Sequence, residues 1–292
     1  MAKLTRNTHI KIVLIVLLCL MLCGGLVLCG RFIPLSGASA AFRSYDHSGS
    51  FEVDATTVSR IDFSWLAGNA TIRVVPDNQT AGMIQVSETR KDFAPELGWS
   101  FTDGLLEIGY SRTPFGGVGG CVRAAFDAKD VTVLLPVSLS DRLERLSVDV
   151  ASGTYSLDQV GCRELGLSMA SGELSASGFS CTDAGLDISS GKVTLDGAIG
   201  GELEIDQASG DVSVSCAGDQ PRIASLDVTS GVVALELNRA RGFELIMDKT
   251  TGSFNCNMPL ESTSDNARRA GDGYTKLNVN LVSGTLNVMG VD

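Results

Sequence analysis

The sequence predicts an all-β chain: a β-solenoid, or β-helix-like stack, of about 19–21-residue repeats preceded by one N-terminal transmembrane helix. Three observations predict it. An uncharged apolar run lies near the start, a Ser-Gly or Thr-Gly pair recurs along the second half, and apolar columns keep a constant distance from that pair.

The apolar run extends from Ile12 to Gly30 and contains no charged residue. At about 1.5 Å per residue, a helix of that length matches the ~30 Å hydrocarbon layer of a bilayer. Lys3, Arg6 and Lys11 precede it, so residues 1–11 are expected inside and the rest outside. The expected location is therefore the cell membrane, single-pass, with the bulk of the chain extracytoplasmic. Residues 31–47 read as a linker. Ala38-Ser39-Ala40 within it would suit cleavage after Ala40, but the run is longer than a signal-peptide core, and a retained signal-anchor is the preferred reading.

Composition narrows the remaining function. The chain has 292 residues, 44% of them hydrophobic, which is ample for a core and excludes a disordered chain. Four of the 23 basic residues and none of the 34 acidic ones precede residue 32, leaving the remainder at a formal −15. Such a surface repels phosphate, so no nucleic-acid partner is expected. Two His in all exclude most histidine-based sites.

Residues 48–292 read as one extracytoplasmic repeat domain. Residues 48–140 are divergent but strand-rich, with a corner near Gly68 and a flexible loop over 112–120. Regular repeats occupy 141–258, a polar loop 259–274 and a last unit 275–292. The corner glycines are Gly153, Gly172, Gly191, Gly210, Gly231, Gly252 and Gly284. Five residues before each stands Val148, Leu167, Leu186, Ile205, Leu226, Met247 or Val279. Two residues after each stands Tyr155, Leu174, Val193, Val212, Val233, Phe254 or Leu286, and the position four after is also apolar or small. The column three before has two polar lapses, Gln207 and Lys249.

Each unit thus reads as strand, corner, strand, turn, with alternate side chains inward. No unit buries its apolar face alone, whereas a stack does. An antiparallel meander with Ser-Gly hairpin loops would show the same alternation. Cys162 and Cys181, each nine residues after its Gly, would be within disulfide reach on adjacent solenoid rungs but about 10 Å apart in a meander.

RLSVDVASGTYSL and ELEIDQASGDVSVS, with the Leu-Leu-Pro-Val strand end at 134–137, resemble units of a bacterial family. The family is that of β-strand-repeat surface proteins carrying an adhesin label, domain of unknown function 4097. The resemblance covers about residues 50–290. It implies an envelope-facing β-solenoid behind one membrane helix and supplies no catalytic residues.

Four residues before the corner Gly stand Asp149, Ser168, Asp187, Asp206, Asp227, Asp248 and Asn280. If they face outward they form an acidic ladder. It suits either Ca²⁺, through carboxylate oxygens, or plain solvation of the face, and the absence of G-G-x-G-x-D favours solvation. Ser156, Ser175, Thr194, Ser213, Ala234, Asn255 and Asn287, three after the Gly, form a small polar strip that could meet glycan hydroxyls.

Glu202, Glu204 and Asp206 cluster, but 34 acids meet a glycosidase's spacing too easily. The corner Ser has no His beside it, and its seven Ser or Thr copies indicate a structural role. Three of the eight Cys lie in the apolar run, and no C-x-x-C or Cys/His cluster suggests zinc.

The expected function is a non-catalytic, membrane-anchored adhesin or envelope-surface binding module for a cell-surface glycan or envelope protein. The alternatives are an accessory subunit of an envelope-stress or transport system and, behind it, a glycan-active β-helix enzyme.

Overall fold

A computed structural model describes residues 45–89, 96–110, 129–216, 218–263 and 267–292. The stretch from Ile12 to Gly30, the loop at 112–120 and Cys121 lie outside the described residues. Among the described residues no helix is long and apolar enough to cross a membrane.

The divergent part supplies β1 (His47–Ser48), β2 (Phe51–Asp54), β3 (Arg60–Trp65), β4 (Asn69–Val75), β5 (Met83–Glu88), β6 (Leu97–Thr102), β7 (Leu105–Tyr110) and β8 (Val131–Pro136). The regular repeats supply β9 (Arg145–Val150), β10 (Thr154–Asp158), β11 (Gly161–Met169), β12 (Glu173–Ile188), β13 (Lys192–Ile199), β14 (Glu202–Gln207), β15 (Asp211–Ser215), β16 (Ile223–Val228) and β17 (Val232–Asn238). The C-terminal part supplies β18 (Phe243–Lys249), β19 (Ser253–Cys256), β20 (Glu261–Ser262), β21 (Ala267–Ala270), β22 (Thr275–Leu281) and β23 (Thr285–Val291).

These strands form two facing layers. The first runs β1-β6-β7-β3-β9-β11-β12-β14-β16-β22-β18-β21-β20. The second runs β2-β5-β8-β4-β10-β12-β13-β15-β17-β23-β19. The 16-residue β12 belongs to both, because its chain passes from one layer to the other without a break.

Parallel register decides between solenoid and meander. Leu174 pairs with Tyr155 on one side and Val193 on the other, so like stacks on like one repeat away. Among the described residues, antiparallel pairs occur only at the two ends, where β1, β2, β5, β6, β20 and β21 close the stack. Such ends blunt edges that would otherwise recruit another strand.

The predicted inward columns are the core. Val148, Leu167, Leu186, Ile205 and Leu226 are all buried, as are Tyr155, Leu174, Val193, Val212, Val233 and Leu286. Each side chain of this kind contributes about 1.5–3 kcal/mol by leaving water. The two polar lapses have separate causes. Gln207 is buried and its amide donates to the Gly210 carbonyl at 2.6 Å, whereas Lys249 sits on the outermost rung and is exposed.

The corners explain the repeated dipeptide. A Cβ on Gly172 would stand 2.4 Å from the Gly153 carbonyl oxygen, one on Gly191 2.6 Å from that of Gly172, and one on Gly210 2.3 Å from that of Gly191. The glycines therefore stack backbone on backbone, with φ between +97° and +108° at these three. The hydroxyls beside them tie rung to rung. Ser171 donates to the Ala151 carbonyl, Ser209 to Ser189 and Ser230 to Ala208, at 3.2, 3.0 and 2.9 Å.

Chain order and rung order differ at both ends. The rung of β7 and β8 lies outboard of β3 and β4. At the other end β22 and β23 insert inboard of β18 and β19. The 259–274 segment, expected to be a loop, contains β20 and β21, and β21 covers the free edge of β18. That return hairpin lets the last unit reach the inner place.

The first end also holds a buried ion pair. The Lys129 ammonium contacts the Glu88 carboxylate, with side chains only 2% and 7% exposed. The ammonium lies 5.8 Å from the Trp65 ring and 5.5 Å from that of Tyr110, and Glu88 also accepts the Leu97 N–H at 3.0 Å. Lys129 further stands where a corner glycine would, since a Cβ on Gly68 would meet its backbone oxygen at 2.1 Å.

Candidate functional site

Outward positions on the first layer align through the same register that builds the core. Asp149, Ser168, Asp187, Asp206 and Asp227 occupy successive rungs on β9, β11, β12, β14 and β16. Asp248 does not follow Asp227, as the sequence order suggested: Asn280 on β22 lies between them. The unbroken acidic run is therefore Asp187, Asp206 and Asp227, each about 4.8 Å from the next along the stack.

Asp206 is the middle member, and its carboxyl titrates above the ordinary carboxylate range. Loss of hydration beside its strand neighbours is the main cause, although the residue is exposed, followed by the charges of Asp227, Glu204 and Asp187. A raised folded-state pKa means that the native state holds the proton more tightly than the unfolded chain. Stability therefore rises as pH falls through that raised pKa, and the penalty is complete above it. Asp206→Asn is expected to raise the melting temperature at pH 7 by on the order of 2 °C and to flatten its dependence on pH over the range in which that carboxyl titrates. Thermal unfolding across that range checks this, and an unchanged pH profile would remove the repulsion argument.

Two residues nearer the start of each strand, the register aligns Ser147, Gly166, Gly185 and Glu204. The two glycines leave bare backbone, and a shallow groove of about 270 Å³ opens over them. Arg145 lies toward one end, with Asp187, Glu204 and Asp206 toward the other. Arg145 is 3.7 Å from Glu164 in an exposed pair. The groove was missed in reading the sequence, although the signal was there: two glycines 19 residues apart, each six before its corner.

The Asp carboxylates of the ladder stand one per rung rather than converging. Among the described residues no three His, Cys, Asp or Glu side chains come together in a way that could hold a metal ion. Glu202, Glu204 and Asp206 alternate along β14 as exposed neighbours. Lys192 pairs with Glu173 at 3.1 Å on the second layer.

The small polar strip lies on the outer face of that second layer. Its order is Ser156, Ser175, Thr194, Ser213, Ala234, Asn287 and Asn255, again with the last two exchanged relative to the chain. Ser156 donates to the Thr71 hydroxyl at 3.2 Å and Asn255 to Asn287 at 2.9 Å, so part of the strip is already hydrogen-bonded within the protein. Cys162 and Cys181 are direct register partners on β11 and β12, facing the core.

Comparison with known proteins adds the following. A candidate adhesin from Bacteroides fragilis is 14% identical, covering 83% of this chain and 97% of its own, with a TM-score of 0.44. A candidate cell adhesion protein from Clostridium sporogenes is 11% identical over 84% of this chain and 100% of its own, with a TM-score of 0.37. A candidate lipid binding protein from Parabacteroides distasonis is 12% identical over 85% and 99%, also at 0.37. No curated protein matches. The Toastrack DUF4097 family model matches residues 85–289, which takes in every regular repeat, and the chain belongs to that family.

Proposed function

We propose that the chain is a non-catalytic, membrane-anchored binding module. Residues 12–30 would hold it in the membrane, and the first-layer face would meet an extracytoplasmic glycan or envelope protein. The observation that supports this is the groove over Gly166 and Gly185, flanked by the acidic row. Its floor is hydrogen-bonded sheet, so a ligand meets a rigid surface and little conformational entropy is lost in forming the contact. Its period follows the strand spacing of about 4.8 Å, which suits an extended ligand that itself repeats.

Labelled residues 44–292, which contain the whole described core, should bind isolated cell-wall material or intact cells saturably. Gly185→Phe tests the place. A Cβ there meets no atom within 4 Å, so the new side chain starts into the open groove. It is expected to weaken binding at least tenfold while leaving the melting temperature within about 2 °C. Repeating the assay with Ca²⁺ and with EDTA shows whether the Asp row contributes through a cation. Absence of binding in all conditions would discard the surface-binding reading in favour of a subunit acting through its membrane helix.

A further inference from the structure

Cys162 and Cys181 meet across β11 and β12 as direct partners in a parallel register. Adjacent strands place such Cα atoms about 4.8 Å apart, inside the roughly 4.4–6.8 Å range of disulfides. Both side chains face the interior, with 9% and 7% of their surface exposed. On the far side of Cys181 the register partner is Ile199, so the pair does not continue as a column. Cys216 is among the groups whose charge raises the Cys181 thiol, but it is not its strand partner.

We propose that Cys162 and Cys181 form a disulfide that staples two successive rungs, and that Cys216 stays reduced. The bond forms by thiol–disulfide exchange with a donor disulfide, either a dithiol–disulfide oxidoreductase or, in vitro, oxidised glutathione. One thiolate attacks a donor sulfur and gives a mixed disulfide; the second thiolate attacks that bond and releases the donor. Two electrons pass from the cysteine pair to the donor, and the two thiol protons end on the donor's two thiols.

Burial governs when this happens. It pushes the Cys162 thiol up to about 12 and raises Cys181 as well, so the folded chain holds little thiolate. Exchange therefore proceeds while the rungs assemble or when they open locally.

The test uses the full-length chain in mild detergent. It is equilibrated with reduced and oxidised glutathione at a urea concentration below the unfolding transition, so that opening does not limit the exchange. After acid quench, N-ethylmaleimide labelling and trypsin digestion, each cysteine can be followed separately. Arg163, Lys192 and Arg222 place Cys162, Cys181 and Cys216 in three different peptides.

The expected result is a linked Cys162–Cys181 pair, two hydrogens lighter than the sum of its peptides, with Cys216 alkylated. Dithiothreitol should then lower the melting temperature by on the order of 5–10 °C. That shift should vanish in Cys162→Ser and persist in Cys216→Ser. Alkylation of both Cys162 and Cys181 under the most oxidising couple would overturn the proposal. A Cys181–Cys216 link, or a dithiothreitol shift that survives Cys162→Ser, would do the same.

Discussion

Gly191→Ala is expected to destabilise the chain by about 2–5 kcal/mol, although the change adds one methyl group. Two costs act together. The backbone at Gly191 has φ +107°, a region that an L side chain enters only under strain. The new Cβ would also stand 2.6 Å from the Gly172 carbonyl oxygen, 2.9 Å from its nitrogen and 3.0 Å from the Met169 methyl. Methionine can move, but the backbone of the next rung cannot do so without shifting every rung above it. For a domain of this size the melting temperature should fall by roughly 5–15 °C.

Gly185→Ala is the control, because it changes the same residue type six residues earlier in the same unit. A Cβ there meets nothing within 4 Å and no positive φ is involved, so stability should change by less than about 0.5 kcal/mol. Equal melting temperatures for the two variants would mean that the corner glycines do not stack as described.

Lys129→Ala is expected to cost a similar amount, about 3–5 kcal/mol, for an electrostatic reason. The Glu88 carboxylate is 7% exposed and would lose its cation while staying inside the cap. Among the described residues its other hydrogen bond comes from the Leu97 N–H, too little to replace the solvation that burial removed. Replacing both partners by apolar residues of similar volume, as in Lys129→Met with Glu88→Leu, should recover most of the loss. Urea unfolding of both singles and the double completes a cycle, and additive effects would show that the ion pair is not coupled. The consequence extends beyond the cap, since the Lys129 backbone packs on Gly68 at the first of the stacked corners.

The two effects are not equally legible in the sequence. The corner glycines announced themselves through repetition, because seven Ser-Gly or Thr-Gly pairs carried the same apolar neighbours. Glu88 and Lys129 were invisible: they are 41 residues apart and belong to no column. The same distinction separates Asp187, Asp206 and Asp227, adjacent in space as in the repeat order, from Asp248, which Asn280 displaces.

What the sequence determined by itself was the unit: its strands, its corner, which side chains face inward, and the family resemblance that follows from those columns. These are local or strictly periodic properties, set by the two-residue alternation of a strand and by the conformational demand at one glycine per turn. The order of the rungs was decided only in three dimensions. Every unit presents nearly the same columns, so a swap of two neighbours buries the same apolar surface and leaves no trace in the pattern. The return hairpin of β20 and β21 breaks that degeneracy by sending the last unit inward, which sets Asn280 rather than Asp248 beside Asp227.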